Sequence, residues 1–153
     1  MMMPARKQPR KTLRSDIAAL IDDCPGWNSR LVARRITQFL DHQLAEADLG
    51  IAQLGLMAQI AVIADDSLTA LAARTGLEQS TLSRNLRALE RQGLVEIGMV
   101  PGNLRRRVVW LTEAGARRLE AALPAWRAAN QRLEQSLPAQ FARLCATAAD
   151  KMP

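Results

Sequence analysis

The stretch SLTALAARTGLEQSTLSRNLRALERQGLVEIGMVPGNLRRRVVWLT, from Ser67 to Thr112, decides the fold. Ser67 is placed to cap a short helix over 68–74, its hydroxyl accepting from backbone amides left free in the first turn. Gly76 supplies the turn that follows, because a residue without Cβ takes positive φ at little cost. A second helix is predicted over about 78–92, with Leu82, Leu86 and Leu89 on one face at spacings of four and three. Gly93 closes it. The β-branched residues Val95, Ile97, Val100, Val108 and Val109 then predict two short strands, about 94–100 and 106–111. Pro101-Gly102-Asn103 is the turn signal between them.

Reading outward from this stretch, Thr112 caps a long helix from Glu113, which Pro124 is expected to kink or divide. A last helix follows over about 138–151. On the other side, Pro25-Gly26 breaks the chain, and a helix capped by Asn28 or Ser29 is predicted to about Ala47, through Leu31, Ile36, Phe39, Leu40 and Leu44. Another helix runs from near Gly50 to Ala64, through Ile51, Leu54, Met57 and Ile60, and Asp65-Asp66 ends it. Residues 1–14 hold Arg6, Lys7, Arg10, Lys11 and Arg14 with two prolines and no acid before Asp16. They read as a disordered basic arm, either tracking phosphates or simply solvated. The fold class is therefore mainly α with a small β-hairpin wing: a winged helix-turn-helix flanked by N- and C-terminal helices. Residues 15–153 form one domain, its winged part over about 50–112.

Composition narrows the partners. The chain has 153 residues, with 21 Lys and Arg against 15 Asp and Glu and a net charge of +6, which favours an anionic partner. At 48% hydrophobic it is no disordered polycation. No stretch approaches the roughly 20 apolar residues of a membrane span, and Cys24 and Cys145 form no disulfide framework; a cytoplasmic protein is expected. One histidine, no tyrosine, no nucleophile elbow and no phosphate-cradling glycine loop argue against an enzyme, and no cofactor is expected.

In a helix-turn-helix the second helix enters the major groove, so its early residues must be small and polar or capable of forked hydrogen bonds. Gln79, Ser80, Thr81, Ser83 and Arg84 meet that requirement, Arg87 on the same face is a further DNA-binding candidate, and all six equally suit a solvated helix face. Arg105 is the candidate for insertion into a narrow minor groove, where negative potential concentrates. Arg106 and Arg107 are candidates for phosphate, and Asn103 begins the tip. The same charges would guard a hairpin edge against sheet-to-sheet association. A varied polar face favours base readout, so a sequence-specific regulator is expected; a nonspecific or architectural DNA-binding protein is the alternative.

With these residues in view, the run from about Asn28 to Leu137 resembles the MarR family of bacterial transcriptional regulators. The likeness rests on LGIAQLGLM at 49–57, STLSRNLRALERQGLV at 80–95 and LTEAG at 111–115. It implies an obligate homodimer whose first and last two helices interlock, here about 27–47 and 113–151. It implies a pseudo-palindromic duplex operator, and usually a repressor released by a small molecule or an oxidant. The family's wing commonly carries Asp-x-Arg; here Asn103-Leu104-Arg105 stands there, keeping an acceptor but no charge.

Dimerisation has separate support in Trp27, Leu31 and Phe39 near one end and Trp126, Leu133, Leu137, Phe141 and Leu144 near the other, more apolar surface than a winged module needs. Cys24 lies near the position where one branch of the family keeps an oxidant-sensing cysteine. Trp27, Arg30, Arg34 and Phe39 are candidates for a pocket that takes a small aromatic or anionic effector, though the arginines also suit a solvated face. His42 is the single histidine, which leaves no zinc-sensing cluster. Cys145 reads as a small core residue.

Overall fold

The computed structural model describes residues 11–63 and 66–152. Their contacts divide the chain into two compact units, 1–38 and 39–153. The first contains helix α1 (Lys11–Asp23) and most of α2 (Pro25–Gln43). The disordered arm expected through residue 14 is corrected here: the helix begins at Lys11, and residues 1–10 lie outside the described residues. Its periodicity is the cause. Leu13, Ile17, Leu20 and Ile21 recur at helical spacing, and all four are exposed.

Only Cys24 separates the two helices. Neither Asn28 nor Ser29 caps α2. Asn28 Nδ2 donates to the Asp22 carbonyl at 2.9 Å and Ser29 Oγ to the Gly26 carbonyl at 3.2 Å. The helix instead starts at Pro25, at least four residues earlier, where a missing N–H costs nothing and φ is already helical. Cys24 takes the capping place, its Sγ accepting from the Trp27 N–H at 3.4 Å.

In the second unit α2 ends at Gln43, and a 3₁₀ turn (Ala45–Ala47) replaces the expected last helical turn. Asp48, at φ 52°, closes that turn. Helix α3 (Ile51–Val62) starts at Gly50, whose N–H donates to Gln53 Oε1 at 3.1 Å, while the Ile51 N–H donates to Asp41 Oδ1 at 2.7 Å. Helix α4 (Leu68–Thr75) is capped by Ser67, whose Oγ accepts from the Ala70 N–H at 3.2 Å. Gly76 turns at φ 65°, and α5 (Gln79–Arg91) follows. After α5 the chain closes in a Schellman arrangement. Gly93 is at φ 69°, its N–H donates to the Glu90 carbonyl at 2.9 Å, and the Leu94 N–H donates to the Leu89 carbonyl at 3.0 Å.

Strands β1 (Val95–Val100) and β2 (Asn103–Leu111) pair antiparallel, from Val95 opposite Leu111 to Met99 opposite Arg107. Val100 then pairs with Asn103, so Leu104, Arg105 and Arg106 have no residue opposite them on β1. The second strand thus begins three residues before the expected Arg106, because the chain reverses tightly at Pro101-Gly102, with Gly102 at φ 84°. Ser67 adds an isolated bridge to Val108, and the Asp66 carbonyl accepts from the Val109 N–H at 2.9 Å.

Thr112 fastens the next helix to the end of α5. Its Oγ accepts from the Gly115 N–H at 2.9 Å and donates to the Gly93 carbonyl at 2.6 Å, and its N–H donates to the Leu94 carbonyl at 3.1 Å. Helix α6 (Glu113–Ser136) runs unbroken through Pro124, so the proline does not divide it. Helix α7 (Phe141–Asp150) ends the fold with no fully buried residue. The core joins Leu44, Leu54, Met57 and Ile60 to Leu71 of α4, Leu82, Leu86 and Leu89 of α5, Leu94, Val95 and Val109 of the hairpin, and Ala122 of α6. Among the described residues no helix is long and apolar enough to cross a membrane.

Candidate nucleic-acid interface

The burial of α5 fixes what it presents. Leu82, Leu86 and Leu89 are driven inward, and the remaining side of the helix is left with its polar residues. Gln79, Ser80, Arg84 and Arg87 are exposed, and Thr81 and Ser83 are half-buried. Gln79 stands at the helix start, where unpaired backbone N–H groups and the helix dipole favour negative charge.

The hairpin brings the second element of the site. Arg105, Arg106 and Arg107 are all exposed, and the first two lie in the segment with no partner residues on β1. Asn103 Oδ1 accepts from the Arg105 N–H at 3.2 Å, so the uncharged residue still fixes the backbone of the tip. Arg106 Nη2 lies 3.7 Å from Asp66 Oδ1. At the base of the wing, Trp110 lays its ring on Gly98, and its Nε1–H donates to Glu96 Oε2 at 3.0 Å. A Cβ at position 98 would stand 2.8 Å from that ring, so glycine is what admits it.

Between α5 and the wing lies a cleft of about 230 Å³ lined by Ser67, Leu68, Thr69, Gln79, Leu82, Ser83, Arg105, Arg106 and Arg107. Gln79 and Ser83 are thereby brought together with all three arginines, whereas Ser80, Thr81, Arg84, Arg87 and Asn103 are not among its lining residues. Hydroxyl, amide and guanidinium donors converge there, a set suited to a phosphate or a base edge. Sequence reasoning missed Thr69 and Asp66. Thr69 reads only as an early residue of a bracing helix, and the partner of Asp66 comes from a distant segment.

The remaining candidates lie elsewhere. Trp27, Arg30 and Arg34 are exposed on α2. Phe39 is half-buried, with the Arg132 guanidinium 5.4 Å from its ring centroid; Arg132 Nη1 also donates to Gln43 Oε1 at 2.8 Å. Cys24 is half-buried and His42 exposed. The core reading of Cys145 is corrected: the residue is exposed, because α7 buries none of its side chains fully. Among the described residues no group of three His, Cys, Asp or Glu side chains stands close enough to hold a metal ion.

Comparison with known proteins places this geometry. A family model described as MarR family matches residues 47–106. The M. tuberculosis transcriptional regulator MosR, solved in complex with DNA, is 30% identical with a TM-score of 0.75, over 84% of this chain and 92% of that one. A variant of MarR from E. coli complexed with operator DNA is 24% identical with a TM-score of 0.75, over 88% and 98% of the two chains. The PcaV transcriptional regulator from Streptomyces coelicolor, in complex with its natural ligand, is 21% identical with a TM-score of 0.75, over 86% and 95%. These last two likenesses show the fold. No curated protein sequence matches significantly.

Proposed function

This chain belongs to the MarR family of DNA-binding transcription regulators, and from that premise we propose that it is a cytoplasmic, homodimeric repressor that reads a pseudo-palindromic operator. The observation that carries the reading is the cleft where Gln79 and Ser83 of α5 meet Arg105, Arg106 and Arg107 of the wing. In this reading α5 lies in the major groove, with Gln79, Ser80, Thr81, Ser83 and Arg84 toward base edges and Arg87 on the backbone. Arg105 enters the adjacent minor groove, steadied by Asn103, and Arg106 and Arg107 take phosphates.

The dimer is supported by apolar side chains left in water. Trp27 and Leu31 on α2 and Leu144 on α7 are all exposed. A chain leaving such residues solvated in isolation gains by covering them with a second copy. Release of the operator by a small aromatic or anionic molecule falls to Trp27, Arg30, Arg34 and Phe39, which offer aromatic surface and cationic partners. Release by an oxidant falls to Cys24, whose sulfur caps α2.

Titrating the protein against DNA from upstream of its own gene and against a random duplex, across a salt series, tests the reading. A preference of roughly 10³-fold or more for the upstream DNA, saturating at one dimer per site, supports a specific regulator. Equal, steeply salt-dependent binding to both refutes autogenous control and favours a nonspecific or architectural role.

A further inference from the structure

We propose that Asp66 is a built-in competitor for the DNA backbone: its carboxylate occupies Arg106 in the free protein, and a bound phosphate takes its place. The inference rests on the wing being a DNA-binding element, and three features of the structure lead to it. The first is the pair itself. Arg106 Nη2 lies 3.7 Å from Asp66 Oδ1, with the two side chains 47% and 54% exposed. A pair so long and so wet is weak and readily exchanged. The second is that Asp66 cannot move away from the wing. Its carbonyl accepts from the Val109 N–H at 2.9 Å, and the next residue, Ser67, bridges to Val108. The backbone that carries the carboxylate therefore stays at the wing even when Arg106 leaves it.

The third is location. Arg106 lines the cleft between α5 and the wing together with Ser67, Thr69, Ser83, Arg105 and Arg107, and Asp66 stands next to Ser67 in the chain. A carboxylate and a phosphate present the same kind of oxygens to a guanidinium fork. A phosphate arriving there meets an arginine already engaged and an anion that repels it. Asp66 is not among the residues that line the cleft with Gln79 and Ser83, so its effect falls equally on every duplex. It lowers absolute affinity and leaves the preference between sequences unchanged.

The test is a double-mutant cycle read by DNA titration, using wild type, Asp66→Asn, Arg106→Gln and the double variant on the upstream DNA and on a random duplex. Asparagine keeps the shape of the side chain, and matched melting temperatures check that the fold is intact. Asp66→Asn is expected to tighten both DNAs by about two- to fivefold at physiological salt, less at high salt. In the Arg106→Gln background the same change should tighten binding distinctly less, because only the direct repulsion is then removed. Unchanged or weaker binding by Asp66→Asn overturns the proposal. Equal tightening in both backgrounds also overturns it, since that is a general charge effect needing no exchange at Arg106. A wild-type protein that binds neither DNA overturns this inference together with the function it rests on.

Discussion

Replacing Gly115 with alanine should destabilise the protein, although helix propensity alone predicts the opposite. Gly115 lies in the first turn of α6, and a Cβ built there falls 1.9 Å from the Leu94 carbonyl oxygen, 2.9 Å from its carbonyl carbon and 3.2 Å from its Cα. The obstacle is backbone, and that backbone is fastened on three sides. The Leu94 N–H donates to the Leu89 carbonyl, its carbonyl accepts from the Thr112 N–H, and its side chain is 1% exposed in the core. Relief requires α6 to lift off the start of β1. In a free helix the change would gain about 1 kcal/mol. Forced overpacking costs about 1–3 kcal/mol, and losing the Thr112–Leu94 hydrogen bond costs about 1 kcal/mol more. The net is a loss of about 1–3 kcal/mol, or roughly 3–10 °C in melting temperature for a chain of this size. The assay is thermal unfolding by circular dichroism at one fixed protein concentration, because any self-association makes the midpoint move with concentration. A melting temperature equal to or above that of wild type would show that α6 and β1 do not meet as described, and would refute the reasoning.

Three further outcomes are expected. Arg105→Ala should weaken DNA binding and reduce the slope of log affinity against log salt by about 1, as for one lost ionic contact; titrations at two salt concentrations giving wild-type affinity would rule out its insertion. Replacing Ser83 and Arg84 together with alanine should reduce the preference for operator over random duplex more than it reduces random-duplex binding, and equal losses on both DNAs would count against base readout. Ser67→Ala removes the acceptor for the Ala70 N–H and should lower stability by about 0.5–2 kcal/mol in denaturant titration; no shift of the midpoint would mean that water or a neighbour replaces the cap.

The features legible in the sequence are those whose cause is local. Ser67, Gly76, Gly93 and Thr112 announce themselves because a cap or a positive φ depends on one residue and its immediate neighbours. The inward leucines of α5 were legible for the same reason, since Leu82, Leu86 and Leu89 need only the helical repeat. Helix α1 is hidden in the sequence by the basic charges that run to Arg14, although Leu13, Ile17, Leu20 and Ile21 carry a helical pattern. The start of β2 was lost because an arginine run lacks the branched side chains that mark a strand. Its pairing is set by Val100 across the turn, not by its own composition. Asp66 shows the limit most clearly. In the sequence it reads as the end of a helix, whereas α3 stops at Val62 and the folded hairpin sets Arg106 beside Asp66. Cys145 fails in the other direction: a small apolar residue on an amphipathic helix looks internal, yet none of the described residues fully covers α7.

The indole of Trp110, resting on Gly98 and tied to Glu96, gives the wing its own optical probe. The other two tryptophans belong to helices: Trp27 stands exposed on α2, and Trp126 packs against the core from α6. Replacing those two with phenylalanine would leave one emitter, seated within the hairpin that carries the arginines. Its colour and quenching then follow the solvation of the wing alone, so the arrival of DNA at the hairpin can be timed in a single cuvette, with no dye attached.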